Sequence, residues 1–325
     1  MATDTAARDV SSRLLNLEDI RVEAPTLVER LRRAAAYVRD MAGELWKSKL
    51  ASCGAFIVLV MVLVAIFADV LDRHDPFDMA ETALVPVSWE HWFGTDPYGR
   101  DIWSRVVHGA RRAMIISASA VLLGVLLGVP LGAVSGYYGT TTVHIAGHQV
   151  RVPLDNIIMR LVDAWLAIPG ILFFLLVVAI FGGSDWVLIM ALGIAQVPLL
   201  ARLVRGSVLA EKAKEYVEAS HIIGDSNLNI TFRQILPNCL SPIIVQASVS
   251  VGFLIIVEAA LAFLGLGAQP PTPAWGADLN EAKNFMETYP LLTIFPGLAL
   301  SLTVLGFNLF GDGLRDILDP RQVEQ

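Results

Sequence analysis

The chain has 325 residues, 55% of them hydrophobic and only 17% charged, with a formal net charge of -7. Its mean hydropathy is +0.59, and a soluble domain carries roughly 25% charged residues, so the charged coat is too thin for a soluble enzyme. The acidic balance gives no electrostatic case for nucleic acid. Two cysteines, Cys53 and Cys239, far apart in apolar sequence, read as small buried residues rather than a disulfide framework or metal cluster.

Residues 1–50 form a mixed polar tail with nine basic and eight acidic side chains, unlike the short basic and apolar pattern of a secretory signal. Residues 11–25 show no persistent period. Leu31, Ala34, Ala35, Val38, Met41, Ala42 and Leu45 then recur at helical spacing among arginines. That pattern fits an amphipathic helix on the membrane surface or a solvated helix leading into the first span.

The remainder, residues 51–322, reads as a membrane domain. Ala51–Ala68 is 18 residues without a charge, roughly 27 Å of helix, close to a hydrocarbon core of about 30 Å. Further spans are expected at 113–130 (uncharged onward to Gly136), 164–184, 186–201, 234–257 and 289–311, with Pro237 in a turn before the fifth. Residues 263–277 hold Gly265, Gly267, Pro270, Pro271 and Pro273 and are expected to form a loop or re-entrant element.

Six spans put both termini on one side. The tails, the loop between spans two and three and the loop between four and five hold 18 of the 24 basic residues, so that side is expected to be cytoplasmic. Arg111 and Arg112 run against this count and are expected to be lipid-headgroup anchors. Trp89, Trp92, Phe93 and Trp103, in the opposite loop, fit the same interfacial role. His144 and His148 are four apart, but no further ligands stand near them, and metal binding needs more; residues 140–151 are expected to be a loop or short hairpin.

The informative segment is the loop at 206–236. Tyr216, Ala219 and Ser220 share a helical face, with Ile223 at the next recurrence. Gly224 ends the run, and Asp225 or Ser226 can cap a second helical piece. The result is a short helix, a turn and that second piece meeting Pro237. It fits either a docking element for a partner's cleft or an ordinary surface hairpin.

Glu218, Ala219, Ser220, Gly224, Leu236 and Pro237 resemble the signature loop of permease subunits in ATP-binding-cassette importers. That pattern is Glu-Ala-Ala, three residues, Gly, nine residues, then Ile-any-Leu-Pro. Ser220 stands where it prefers Ala, and Gln234 where it prefers Ile. Four further stretches are similar to the dipeptide and oligopeptide permeases of the superfamily: 94–101, 153–169, 258–276 and 307–321. Together they cover roughly residues 45–322, and the likeness is to the C-type permease; nickel and glutathione importers share the architecture.

The resemblance implies an all-α membrane protein with the six-transmembrane type I importer permease fold and a cytoplasmic coupling helix. It implies a bacterial inner-membrane location and four partners: a second, homologous permease, two nucleotide-binding ATPase subunits and an extracytoplasmic solute-binding protein. Peptide is the implied cargo. Glu215, Tyr216, Glu218, Ala219, Ser220, Gly224, Leu236 and Pro237 are the implied contacts with the ATPase subunits. No phosphate-binding Gly-x-x-x-x-Gly-Lys-Ser/Thr loop is present, so the chain is not expected to be an enzyme, and ATP and Mg2+ are expected on the partners. A self-contained secondary transporter is the rival reading; it needs ion sites in broken helices, and few acids fall near the centre of the spans.

Three charged groups stay open. Glu258 fits a structural hydrogen bond or pathway lining. Arg160 and Asp163 could pair. Asp312, Arg315, Asp316, Asp319 and Arg321 fit an ATPase-facing terminus or a solvated tail.

Overall fold

The computed structural model describes Gly43 and residues 48–79, 82–145 and 148–318, without the side chains of 141–150. The expected amphipathic helix, the tail before it, and Asp319 and Arg321 lie outside the described residues.

Helix α1 (Lys49–Ile66) starts where the Ser48 hydroxyl accepts from the Ala51 amide, and α2 (Ala68–Leu71) follows it. Helix α3 (Ile102–Tyr138) is 37 residues long, roughly 55 Å. It begins eleven residues before the uncharged run, because Arg105, His108, Arg111 and Arg112 all find partners. A hairpin, β1 (Thr141–Ile145) with β2 (His148–Val152), pairs antiparallel with Ile145 opposite His148. This is the short hairpin expected at 140–151; apart from an isolated antiparallel bridge between Thr95 and Asp101, the rest of the described secondary structure is helical.

The third span is not the single helix expected over 164–184. It is α4 (Leu154–Leu166) and α5 (Gly170–Phe181), bent by 80° at the intervening break. Pro169 supplies no amide hydrogen and its ring crowds the preceding turn, so the run is continuous in hydropathy but not in direction. Then come α6 (Asp185–Lys212), α7 (Glu215–Ile223), α8 (Asn227–Asn229), a π-helical turn (Ile230–Ile235) and α9 (Leu236–Asn238). Helix α10 (Leu240–Phe263), α11 (Trp275–Ala282), a 3-10 turn (Lys283–Phe285) and α12 (Leu291–Leu318) are the last of the described elements.

Among the described residues, α1, α3, α6, α10 and α12 are long and apolar enough to cross a membrane, and the bent pair makes a sixth candidate. Many of their large apolar side chains, Leu59, Leu126, Ile180 and Phe253 among them, are exposed, which suits contact with lipid. The chain is therefore an all-α, multi-span membrane protein.

The centre of the bundle is a close contact between α3 and α6. Ideal Cβ atoms on Gly124, Gly128, Gly132 and Gly136 would stand 2.8, 2.9, 2.4 and 2.9 Å from Gln196, Leu200, Ala201 and Arg205 respectively. Four glycines four apart let the backbones approach. The pairing advances in step along both helices, so they run parallel. The bent pair must then carry the chain from the end where Ser135 bonds Asp155 to the end where Arg112 meets Asp185. Helix α12 packs antiparallel on α1, with Gly313 against Ala51 and Gly306 against Ile57.

Candidate functional site

The signature segment folds as two arms closed on each other. The first is α7, whose opening turn holds Glu215 and Glu218, acids that favour a helix N-terminus. Gly224 ends it at φ +87, a left-handed conformation a Cβ would strain, with its amide donating to the His221 carbonyl at 3.1 Å. Ser226 caps the second arm by accepting from the Asn229 amide at 3.3 Å.

Side chains tie the arms together. Ser220 donates to Gln234 Oε1 at 2.6 Å, and the Gln234 amide donates to Asp225 at 2.8 Å. Asn238, next to Pro237, donates to the Tyr216 hydroxyl at 3.1 Å, which donates to Glu211 at 3.0 Å. Burial raises the Tyr216 hydroxyl pKa above its ordinary value, so the phenol remains a donor. Burial also pushes the Cys239 thiol up to about 11.

The closed loop sits on the ends of α3 and α6. Val217, Ile230, Ile235 and Cys239 are buried against Ala133, Tyr137, Val204 and Val208, with Leu236 packed on the edge. The Tyr137 hydroxyl donates to Asn227 at 2.9 Å, and Lys212 donates to the Tyr137 carbonyl at 2.6 Å. The loop is thus packed and hydrogen-bonded to the ends of two long helices.

The other face of α7 is unused. Glu215, Glu218 and Ala219 are exposed, and Ile222 and Ile223 are 80% and 84% exposed. Leu228 and Phe232 on the second arm are also exposed, at 62% and 40%. Ile223 thus points away from the buried side, whereas Tyr216 and Ser220 are half-buried.

Glu258 stands apart from this loop, at the opposite end of the bundle. Helix α10 runs on to Phe263, so Glu258 lies within the helix rather than at an early turn. It is buried, and Arg112 donates to it at 2.5 Å and to Asp185 at 2.6 Å. Arg112 is thus a buried tie between α3, α6 and α10, not a headgroup anchor. Arg111 bonds the Ala65 and Ile66 carbonyls at the end of α1, and Asp69 beyond them.

At the same end, Arg100 pairs with Asp96 and Glu281, and Arg105 with Asp278. The Trp275 indole donates to the Val106 carbonyl at 2.9 Å. These bonds fasten 94–105 to α11. Phe93 stacks on Phe295 with centroids 3.8 Å apart, and Trp103 donates to the Leu71 carbonyl at 2.8 Å. Both make contacts within the protein, whereas Trp89 is 91% exposed. Asp163 pairs with Arg202, not Arg160. Cys53 is exposed on α1 and only Cys239 is buried. At the signature end, Gln246, Val249, Asp312 and Arg315 line a cleft of about 580 Å³ between α10 and α12.

Sequence reading missed Arg112 and the glycine stripe. The glycines were detectable by their spacing of four. Nothing local marks Arg112, whose partners lie 73 and 146 residues away.

Comparison with known proteins gives concordant likenesses. Residues 128–324 match the binding-protein-dependent transport system inner membrane component family, and 37–86 match the N-terminal transmembrane domain of oligopeptide transport permease C. The dipeptide transport system permease protein DppC of Alkalihalophilus pseudofirmus is 42% identical over 287 residues, covering 87% of this chain and 90% of that protein. The glutathione transport system permease protein GsiD of Pectobacterium atrosepticum is 42% identical over 291 residues, covering 87% and 92%. Among solved structures, an inward-facing MetNI methionine ABC transporter chain aligns with a TM-score of 0.53 and 18% identity, covering 67% of this chain and 97% of that one. That likeness concerns the fold.

Proposed function

Since the chain belongs to the binding-protein-dependent transport system inner membrane component family, we propose that it forms half of the membrane pathway of an ATP-driven importer of short peptides. A homologous permease supplies the other half. Two ATPase subunits, carrying ATP and Mg2+, seat α7 in their clefts, and a solute-binding protein delivers cargo at the opposite end.

The observation that carries this reading is the closed loop at 213–239. Its inner face is buried on α3 and α6, and its outer face offers Glu215, Glu218, Ile222 and Ile223. Glu215, Tyr216, Glu218, Ala219, Ser220, Gly224, Leu236 and Pro237 then divide by task. Glu215, Glu218 and Ala219 meet the ATPase. Tyr216, Ser220, Gly224, Leu236 and Pro237 hold the shape that transmits force.

The bent pair counts as one crossing, giving the six-span type I importer fold. Residues 51–322 make the permease domain, 206–236 its coupling loop and 1–50 a cytoplasmic tail. The chain lies in the bacterial inner membrane with both termini in the cytoplasm, an orientation the charge asymmetry supports. Glutathione is itself a short peptide, and the likeness to glutathione permeases favours it as the second cargo reading.

Reconstitution of the chain with its partner subunits and binding protein in vesicles tests this. ATP-dependent uptake of a peptide retained by the binding protein is the expected result. Uptake by this polypeptide alone without ATP would make it a secondary transporter instead.

A further inference from the structure

At the end of the bundle opposite the signature loop, three metal-ligating side chains converge from separate stretches. One ring nitrogen each of His74 and His91 and a carboxylate oxygen of Asp101 all lie within 4.8 Å of one another. His91 Nδ1 is 2.9 Å from Asp101 Oδ1, and His74 Nδ1 is 3.9 Å from the same oxygen. Asp101 and His91 are buried, and the His74 Nδ1 atom, also out of solvent, has no hydrogen-bond partner. A buried ring nitrogen is rarely left without a bond.

We propose that His74, His91 and Asp101 form a binding site for a divalent transition metal of the zinc class. Two imidazoles and one carboxylate are the donor set of open zinc sites, which leave a fourth position to water. Around a tetrahedral ion with bonds of about 2.0–2.1 Å, ligand atoms stand roughly 3.3 Å apart. The 3.9 and 2.9 Å separations each lie within an ångström of that value. Binding displaces the hydrogen bond between His91 Nδ1 and Asp101. A neutral His91 then carries its proton on Nε2 and presents the Nδ1 lone pair to the metal.

The ligands are held from behind, as metal ligands generally are. The second Asp101 oxygen accepts from the Ser104 amide at 2.8 Å and caps α3. The Ser104 hydroxyl accepts from the amides of Arg73 and His74, each at 3.4 Å. The Ser88 hydroxyl accepts from the His91 amide at 3.0 Å. A cavity of about 440 Å³, lined by Asp72, Pro76, Phe77 and His108, borders the site at His74. The nearby cations are engaged elsewhere: Arg73 donates to the Trp89 carbonyl, and Arg105 is paired with Asp278. Sequence spacing hides the site, because residues 74, 91 and 101 fit no short motif. A bound ion would staple the stretch after α2 and the 88–91 turn to the head of α3.

The test uses the full chain in its assembled complex, stripped with a chelator and titrated with Co2+ and then Zn2+. Wild type is expected to bind one more equivalent than His74→Ala, with the strong visible absorption of four-coordinate Co2+ that Zn2+ abolishes. Zn2+ should raise the thermal midpoint of wild type alone. Losing a ligand should weaken binding beyond the 10–100-fold cost typical of outer partners. Asp101→Asn retains a capping side chain and should lose the ion as well, which covers the case of a His74→Ala variant that fails to fold. Equal stoichiometry and affinity in wild type and either folded variant overturns the site.

Discussion

Ser220 donates a 2.6 Å hydrogen bond to Gln234, and these are the two positions at which the loop departs from the residue types of its signature pattern. The departures are one paired exchange. An apolar contact between the arms is replaced by a polar one, extended by Gln234 to Asp225. Both groups are half-buried; without Gln234 the Ser220 hydroxyl still has the Tyr216 carbonyl at 2.9 Å, whereas without Ser220 the Gln234 oxygen loses its donor.

Ser220→Ala removes the donor but leaves the glutamine oxygen in place. The expected loss is about 1 kcal/mol. Ser220→Ala combined with Gln234→Ile should recover most of it by restoring the apolar pair. Thermal midpoints of wild type, both single variants and the double variant measure the coupling. Additive single effects would show that the bond contributes nothing specific.

Glu218 is exposed and has no ion-pair partner among the described residues, so folding uses it only as a first-turn acid of α7. Glu218→Gln should lower the stability of the purified chain by no more than about 1 kcal/mol. In the assembled transporter it should cut substrate-stimulated ATP hydrolysis and uptake at least tenfold. Full transport at unchanged ATP cost removes Glu218 from the docking face.

The fold was legible where hydropathy and structure report the same thing. The spans beginning near Ala51, Trp186 and Tyr289 match α1, α6 and α12 because lipid-facing helices are apolar all round. Direction was not legible. The 164–184 run is apolar throughout, yet it turns by 80° beside Pro169. The start of α3 was hidden because Arg105 reads as polar loop and Arg112 as a headgroup anchor until Asp278, Asp185 and Glu258 neutralise them. In the loop, spacing found Glu218, Gly224 and Pro237. It placed Ile223 with Tyr216, although burial separates the two.

The glycine stripe gives a packing prediction with an internal control. A Cβ at Gly132 would meet the Ala201 carbonyl at 2.4 Å, whereas one at Gly206 meets nothing within 4 Å. Gly132→Ala should destabilise by about 1–3 kcal/mol, the cost of overpacking. Gly206→Ala should be neutral or stabilise by up to about 1 kcal/mol through helix propensity. Comparing their thermal midpoints in one detergent distinguishes close packing from a general intolerance of change.

Cys239 provides a chemical readout of loop closure. With its thiol at about 11, about one molecule in a thousand carries the reactive thiolate at pH 8, against roughly a quarter of a free cysteine at about 8.5. In a Cys53→Ala background, maleimide labelling followed by mass spectrometry should be slow at pH 8, accelerate about tenfold per pH unit, and become fast on denaturation. Rapid labelling of the native protein would mean that the arms open spontaneously.

Arg112 and Glu258 decide whether the charges at the far end of the bundle are structural. Arg112 bridges Asp185 on α6 and buried Glu258 on α10. Arg112→Ala leaves Glu258 buried without its cation, and breaking one side of such a pair costs about 3–5 kcal/mol. Arg112→Met with Glu258→Leu removes both charges at similar volume and should restore most of the stability. If the double variant is stable but fails to transport peptide in the reconstituted complex, the ion pair serves the pathway rather than the fold. Recovery of both stability and transport makes it a structural tie between spans.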